Sequence, residues 1–473
     1  MNTTATSFLQ AARRHAADGD DEAAKQFYLG VLRQDPDNAA ALVEIAVLAE
    51  ASGHRSAARS AYLRAIRCDP ANAAAQVGLA TLALRDNDLE AARRHYQAAL
   101  ATDPAFAPAH QGLARVLAAL GDPSAEAHWQ AGFTGRAVVP QRYRGKDTGI
   151  PLLLLVAARG GNIPTRHWID SSVFAVTAVF ADYHDPADPL PPHALTVNAI
   201  GDADLCATAL VNAERMIAGD AAPLINHPSR VRLTGRQDNA RRLGAVPSVI
   251  APRIVPLKRS SDPAAIGLPF PLLLRAPGFH TGQHFLRVGT TEALAGAAAG
   301  MPGEDLLAIE YLDAHGTDGM ARKYRVMFIG GTAYPLHLAI SRDWKVHYFT
   351  ADMAGSAAFR EEEHRFLDDM PAVLGPRAMA ALAGIQATLG LDYAGVDFGL
   401  APDGSLLLFE ANATMVINPP DSGTIWDYRR PAIDAAIGAA RTMLEQCASA
   451  MPLVMAGPDH LPAIARVRRA ADT

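Results

Sequence analysis

Gly395-Val396-Asp397-Phe398-Gly399-Leu400-Ala401-Pro402-Asp403-Gly404-Ser405-Leu406-Leu407-Leu408-Phe409-Glu410-Ala411-Asn412 is the stretch that decides how the larger part of this chain folds. Asp403-Gly404 falls between two apolar runs, and such a dipeptide is a strong short-range hairpin signal. The stretch therefore reads as two antiparallel strands. Side chains two apart in a strand share a face, which sets Glu410 beside Asn412 and lets Asp397 converge on them from the other strand. Two carboxylates and an amide oxygen are hard oxygen ligands, suited to Mg2+ bridging nucleotide phosphates. Carboxylates are rarely buried unpaired, so the apolar run around them disfavours a purely solvated role. Structural hydrogen bonding at a strand end is the other reading of Glu410 and Asn412.

Outward from this hairpin, antiparallel strands are expected from Pro271 onward. Gly330-Gly331 separates the strand-like runs Arg325–Ile329 and Tyr334–Ile340, and a second glycine-bearing connection runs from Pro277 to Gln283. The amphipathic helices Pro376–Leu389 and Pro431–Cys447 are expected to cover the sheet. Upstream, the apolar runs Pro151–Ala157, Val173–Phe180 and Leu195–Ile200 precede a helical stretch, Asp204–Ile217. This alternation points to a small doubly wound domain. A helix is expected over Arg230–Arg242. Thr134–Gly149, rich in Arg and Gly and without periodicity, reads as a linker.

The first 133 residues repeat. Asp35-Pro36, Asp69-Pro70 and Asp103-Pro104 recur at an interval of 34, as do Tyr28, Tyr62 and Tyr96, and Ala24, Ala58 and Ala92. Gly19, Gly53 and Gly121 keep one phase, with Asn87 in the remaining place; Gly and Asn tolerate the left-handed backbone that ends a helix. Between these marks the apolar spacing is helical, so each unit is helix, turn, helix, then an Asp-Pro stop. The pattern resembles the tetratricopeptide repeat over about residues 5–133, as three full repeats and a terminal half-repeat ending near Trp129. That resemblance implies a groove for a peptide or protein partner. Packing or self-association as a homo-oligomer is the alternative. Arg13, Arg14, Arg59, Arg93 and Arg94 would suit an acidic partner, although charged helix faces are usually solvated.

At 473 residues the chain needs several cores. Hydrophobic residues make up 49% and charged residues 19%, with a formal net charge of -6, which speaks against a general nucleic-acid binder. Three cysteines without CxxC spacing, Cys68, Cys206 and Cys447, exclude a disulfide framework and read as buried small hydrophobes in a reducing cytoplasm. Residues 1–10 lack a signal pattern, and the apolar run Ile150–Ala158 is too short for a membrane span.

The strand pair, the Glu-x-Asn and the Asp thirteen residues before the Glu resemble the metal site of ATP-grasp ligases. The Gly-Val-Asp form is nearest the glutathione synthetase and ribosomal-protein glutamate ligase branch. The resemblance runs from about 150 to 447 and is strongest after 270. It implies Mg2+ held by Asp397, Glu410 and Asn412. Phe270–Arg275 resembles the strand that carries a phosphate-contacting cation, here Arg275. Gly278, Thr281 and Gly282 resemble the loop whose backbone N–H groups close over phosphates. Glu310, Tyr311 and Leu312 resemble the hinge that holds adenine. Lys323 and Arg325 fall where the family places cations facing phosphate or substrate, and for Arg322 a surface ion pair is expected. The family usually has lysine where Arg275 stands and another near Asn239. His337, Trp344, Lys345, His347 and Tyr348 form a polar-aromatic patch suited to an acceptor, and Glu361–His364 reads as a solvated helix start.

The resulting expectation is an all-α repeat solenoid (1–133), a linker (134–149), an α/β pre-ATP-grasp domain (150–228), an α+β ATP-grasp domain (229–450) and a tail (451–473). The function implied by the resemblance is an ATP- and Mg2+-dependent, ADP-forming ligase. It would join a small-molecule or peptide carboxylate to an amine through an acyl phosphate, with no nucleic acid or membrane partner. The alternative is a degenerate nucleotide-binding scaffold whose working part is the repeat module.

Overall fold

The computed structural model describes residues 3–17, 19–261, 266–278, 282–346 and 351–449. Among the described residues the chain divides into two compact units, one built on residues up to Leu153 with Ser171–His193, the other on Leu154–Asp170 with 194–449. Thr281, His347, Tyr348 and the 451–473 tail lie outside the described residues.

The first unit opens with helices α1 (Thr3–Ala17), α2 (Asp21–Gln34), α3 (Ala39–Ala51), α4 (Arg55–Cys68), α5 (Ala73–Arg85), α6 (Leu89–Thr102), α7 (Ala107–Ala119) and α8 (Ala125–Phe133). They pack as four successive pairs, so the last repeat is a complete pair and not the expected half. The turns inside the pairs are left-handed where the sequence marks them, at Gly19 (φ 84°), Gly53 (φ 82°), Asn87 (φ 60°) and Gly121 (φ 70°). Asn38 and Asn72, just past the Asp-Pro marks, cap the helices that follow by accepting the N–H of Ala41 and Ala75. The repeated tyrosines are buried, and for two of them the space comes from glycine: a Cβ on Gly78 would lie 2.3 Å from the Tyr62 ring, and one on Gly112 would lie 2.1 Å from Tyr96. Arg59 pairs with Asp86 and Arg93 with Glu90 within the module, at 2.5 and 2.9 Å. Cys68 is exposed, contrary to the expected burial.

Inside the stretch read as a linker, β1 (Val138–Pro140) is a strand. Strands β2 (Ile150–Val156) and β3 (Phe174–Phe180) follow, with β1 antiparallel to β3. Phe133 at the end of the repeats stacks on Tyr183, ring centroids 5.1 Å apart. Turns, not a helix, connect β2 to β3, so the doubly wound alternation is incomplete there.

In the second unit, β4 (Leu195–Asn198) pairs in parallel with β5 (Leu224–Ile225) across α9 (Ala207–Met216). The helix expected over 230–242 is instead α10 (Pro228–Val231), a short 3-10 turn, and α11 (Arg236–Leu243). Gly235 breaks it with ψ 142°, and the freed Arg236 N–H is accepted by Asp204. Next come β6 (Val249–Ile250), β7 (Ile254–Lys258), β8 (Leu272–Arg275), β9 (Phe285–Val288), α12 (Thr291–Ala299) and β10 (Asp305–Glu310). Four of these strands form an antiparallel sheet in the order β7-β10-β8-β9, with α12 packed beside β9. Then follow β11 (Ala321–Ile329), β12 (Thr332–Ser341), α13 (Ala357–Asp368), α14 (Met370–Leu389), β13 (Tyr393–Leu400), β14 (Leu406–Asn412) and α15 (Arg430–Ser449). A second sheet has the order β12-β11-β13-β14-β6, antiparallel except where β6 joins β14. Both expected hairpins are present: Gly330 and Gly331 (φ 53° and 87°) turn β11 into β12, and Gly404 (φ 79°) turns β13 into β14. α15 packs on β11 and β12. α14, broken at Gly375, is long and apolar enough to cross a membrane and contacts β12 with part of its length.

Candidate functional site

Cross-strand register assembles the site. β11 against β13 sets Arg325 opposite Asp397, and β13 against β14 sets Asp397 opposite Glu410. Period-2 alternation brings Lys323 and Asn412 to the same face. A register shift follows immediately, with Phe398 paired to Leu408, so Phe409 is the extra residue of a bulge.

Asp397 is 3% exposed, and its carboxylate accepts a two-pronged Arg325 guanidinium, Nε to Oδ1 at 2.6 Å and Nη2 to Oδ2 at 2.8 Å. Lys323 Nζ donates to Oδ2 at 3.1 Å. Burial pushes this carboxyl up, but Arg325 and Lys323 outweigh it and hold it well below its ordinary value. Half-buried Glu410 accepts Arg236 Nη2 at 2.6 Å. Burial again works upward, and Arg236, Arg275 and Arg325 together more than offset it, leaving the carboxyl lowered. Arg275, at the end of β8, is pushed down to about 10 by burial and then by Arg236, and so stays charged at neutral pH. Its guanidinium carbon lies 5.7 Å from the ring centroid of Phe285, its partner on β9. Asn412 Oδ1 accepts both the N–H and the hydroxyl of Thr414 at 3.0 Å.

These side chains line a cleft of about 390 Å3 walled by both sheets of the second unit. Its apolar lining includes Ile254, Leu273, Ile309, Leu312 and Phe409, with Ile309 paired to Ile254 on one side and Leu273 on the other. Among the described lining residues, six cations (Arg236, Arg275, Arg322, Lys323, Arg325, Lys345) outnumber three acids (Glu310, Asp397, Glu410). A chain of net charge -6 thus carries a net positive cleft. Such a surface concentrates anions.

Most of the residues singled out in the sequence meet here. Arg275, Gly282, Glu310, Tyr311, Leu312, Lys323, Arg325, Asp397, Glu410 and Asn412 line the cleft, and Gly278 lines an adjoining cavity. Glu310 is engaged at the rim, accepting both the N–H and Nε of Arg253 at 3.1 Å. Arg322 forms ion pairs with Glu362 (2.6 Å) and Asp318 (2.7 Å), as expected of it. His337, Trp344 and Lys345 join the lining. Burial and neighbouring Arg325 hold His337 well below its ordinary value, so it is neutral.

Two features escaped the sequence reading. Arg236 brings a cation into the cleft; it stands one helical turn before Asn239, the spacing that puts two residues on one helix face. Asn239 itself is buried and donates to the Ala411 carbonyl, tying α11 to β14. Glu363, expected on a solvated helix start, is fully buried, with Arg429 Nη2 at 2.6 Å.

The carboxylates of Asp397 and Glu410 and the amide oxygen of Asn412, which already accepts from Thr414, are oxygen donors of the kind Mg2+ takes. Among the described residues no group of three or more His, Cys, Asp or Glu side chains forms a metal cluster, and the two carboxylates already face cations. The set therefore fits a metal that arrives with a polyanion better than a bare ion.

No family model matches the chain, and no curated protein matches it. Among the solved structures that match are tetratricopeptide repeat proteins. MamA is 22% identical, over 28% of this chain and 73% of that one, with a TM-score of 0.25. TTC0263, a tetratricopeptide repeat protein of Thermus thermophilus, is 21% identical over 27% and 72%, also at 0.25. The first tetratricopeptide repeat domain of Spaghetti (RPAP3), bound to an HSP90 peptide, is 18% identical over 26% and 97%, at 0.25.

Proposed function

We propose that the second unit is an ATP- and Mg2+-dependent carboxylate–amine ligase of the ATP-grasp kind, acting through an acyl phosphate. The observation that carries this reading is a cleft, walled by two sheets, whose lining combines apolar side chains with six cations and paired carboxylates. The cross-strand row Ile254, Ile309 and Leu273, close in the chain to Tyr311 and Leu312, would suit a purine. Arg275, Lys323 and Arg325 suit the phosphates, and their charge stabilises the transferring phosphoryl group. Asp397, Glu410 and Asn412 would hold Mg2+, which neutralises phosphate charge when bound. A substrate carboxylate oxygen attacks the γ-phosphorus, the bond to ADP breaks, and an amine then displaces phosphate from the acyl carbon. Lys345 donates to the Gly282 carbonyl at 2.5 Å, joining the glycine-bearing connection to the rim of the cleft. The repeat module would present a peptide or protein carrying one of the substrates.

Calorimetry of ATP binding, with and without Mg2+, tests this in the intact protein and in Glu410→Ala. Mg2+-dependent binding weakened by the substitution is expected, with ADP release once acid and amine are supplied. Binding without turnover under any acid and amine would favour the scaffold alternative, and no binding at millimolar ATP would overturn both.

A further inference from the structure

His110 on α7 and His128 on α8 face each other across the last helix pair of the repeats, Nδ1 to Nδ1 at 2.8 Å. Both imidazoles are half-buried, with ring centroids 5.0 Å apart. Two bare lone pairs repel at that distance, so one of the two nitrogens carries a hydrogen. The backbone decides which. His110 Nε2 lies 2.9 Å from the carbonyl oxygen of Pro104, which can only accept. Nε2 therefore holds the hydrogen of neutral His110, and Nδ1 of that ring is an acceptor. The bond between the rings runs from His128 Nδ1–H to His110 Nδ1, and the lone pair of neutral His128 sits on its Nε2. One added proton fits this arrangement: on His128 Nε2 it makes the inter-ring bond charge-assisted and stronger. A second has only His110 Nδ1 to go to, where it sets N–H against N–H and leaves two positive rings side by side.

We propose that His110 and His128 form an acid-opened clamp on the last helix pair, which holds with no added proton or with one and releases α8 when the second is taken up. Nothing in this rests on the ligase reading. The charged groups around the pair leave it to act alone. Asp122, in the turn between α7 and α8, favours charge on His128, but burial and then His110 outweigh it and hold His128 below its ordinary value. One oxygen of Asp122 is taken by the N–H and hydroxyl of Ser124, and Arg93 of α6 faces the carboxylate. α6 otherwise carries Glu90, paired with Arg93, then Arg94 and His95, the last bonded to Gln76. α5 carries Arg85, paired with Glu50, and the two clamped helices themselves add Arg115 and Glu126. Asp103, beside Pro104, accepts the N–H of Ala105. Once opened, both rings titrate as ordinary histidines, near about pH 6.5, so the open form binds two protons where the closed form binds one. Closure is therefore complete above about pH 6.5 and weakens by up to about tenfold for each pH unit below it. α8 also carries the buried Trp129 and Phe133, and Phe133 packs on Phe180 of β3, centroids 4.5 Å apart, so release is felt where the repeats meet that strand.

The test is amide hydrogen exchange by mass spectrometry on the full chain at pH 7.5 and pH 5.0, with rates divided by the intrinsic rate at each pH and peptides of α5 as the internal reference. Peptides covering α8 are expected to open roughly tenfold more at pH 5.0, with α5 unchanged. His128→Asn keeps an N–H donor where Nδ1 stood but takes up no proton, so its α8 should open equally at both pH values. In the parent, 15N-histidine NMR at pH 8 should find the hydrogen on Nε2 of His110 and on Nδ1 of His128. A change in α8 of less than about twofold, an equal rise in α5, a rise in His128→Asn as large as in the parent, or the opposite pair of tautomers overturns the proposal.

Discussion

Replacing Asp397 by Asn isolates the centre of the site. The shape is kept, but Arg325 and Lys323, whose side chains are 20% and 14% exposed, lose the negative charge that holds them together. Breaking a buried ion pair by removing one member costs roughly 3–5 kcal/mol, because the remaining charge is stranded. Here two cations are stranded, so the upper half of that range is expected. For a unit of this size that corresponds to a fall in its melting transition of roughly 10–20 °C. Scanning calorimetry reads it directly. The matched double variant, Asp397→Leu with Arg325→Met, removes the pair as a pair and should recover more than half of the loss. The folded carboxyl is held below its ordinary value, so the stabilisation is complete above about pH 4 and is lost only as pH falls through the lowered value. The effect of Asp397→Asn should therefore be the same at pH 6 and pH 8. A loss below about 1 kcal/mol, or a double variant worse than the single one, would refute the reasoning.

Arg275→Lys, which keeps the charge but not the planar fork, should leave Mg2+-ATP affinity within about tenfold of the parent, whereas Arg275→Leu should lose about a hundredfold or more by calorimetry. Gly112→Ala places a Cβ 2.1 Å from the buried Tyr96 ring and should destabilise the repeat module by roughly 1–3 kcal/mol, read as an earlier helical melt in circular dichroism. A hydrogen bond from Arg322 pushes Asp318 down to about 2, so its contribution is complete above about pH 4 and fades as pH falls through about 2. Asp318→Asn should flatten the stability profile in that window while costing less than about 1 kcal/mol at pH 7, because the side chain is 47% exposed and screened.

What could be read from the sequence was local or periodic. Asp403-Gly404 and Gly330-Gly331 specify their own turns, and strand alternation then fixes which side chains share a face, so the Asp397, Glu410 and Asn412 arrangement followed from a span of eighteen residues. The repeats were legible because Tyr and Gly return with a period of 34. What was missed depends on distant partners. Arg236 finds Glu410 across 174 positions, and nothing beside Arg236 marks it out from its neighbours Arg241 and Arg242. Glu363 meets Arg429 across 66 positions. The break at Gly235 is stabilised by Asp204, whose carboxylate takes the N–H that an unbroken helix would have used internally. The last repeat looked like a half because α8 has no Asp-Pro mark after it, yet the buried Trp129 and Phe133 make it a full packing partner.

The ion pairs in the cleft bear on whether a site with arginine at the expected lysine positions can work. Arg325 and Lys323 are spent on Asp397, and Arg236 on Glu410, so on the proposed reading an incoming triphosphate would find these cations already satisfied. An anion alone would have to compete with those carboxylates for the same donors. An anion accompanied by Mg2+ would not, because the carboxylates gain a new positive partner as the cations turn to phosphate. Each group then keeps a partner of opposite sign, and no buried charge is left unpaired at any stage. This exchange predicts that metal-free ATP binds weakly in the parent and that the Mg2+ requirement is relaxed in Glu410→Gln, where Arg236 is released beforehand. A degenerate scaffold has no reason to show that relaxation, so the ratio of the two affinities separates a working site from a vestigial one.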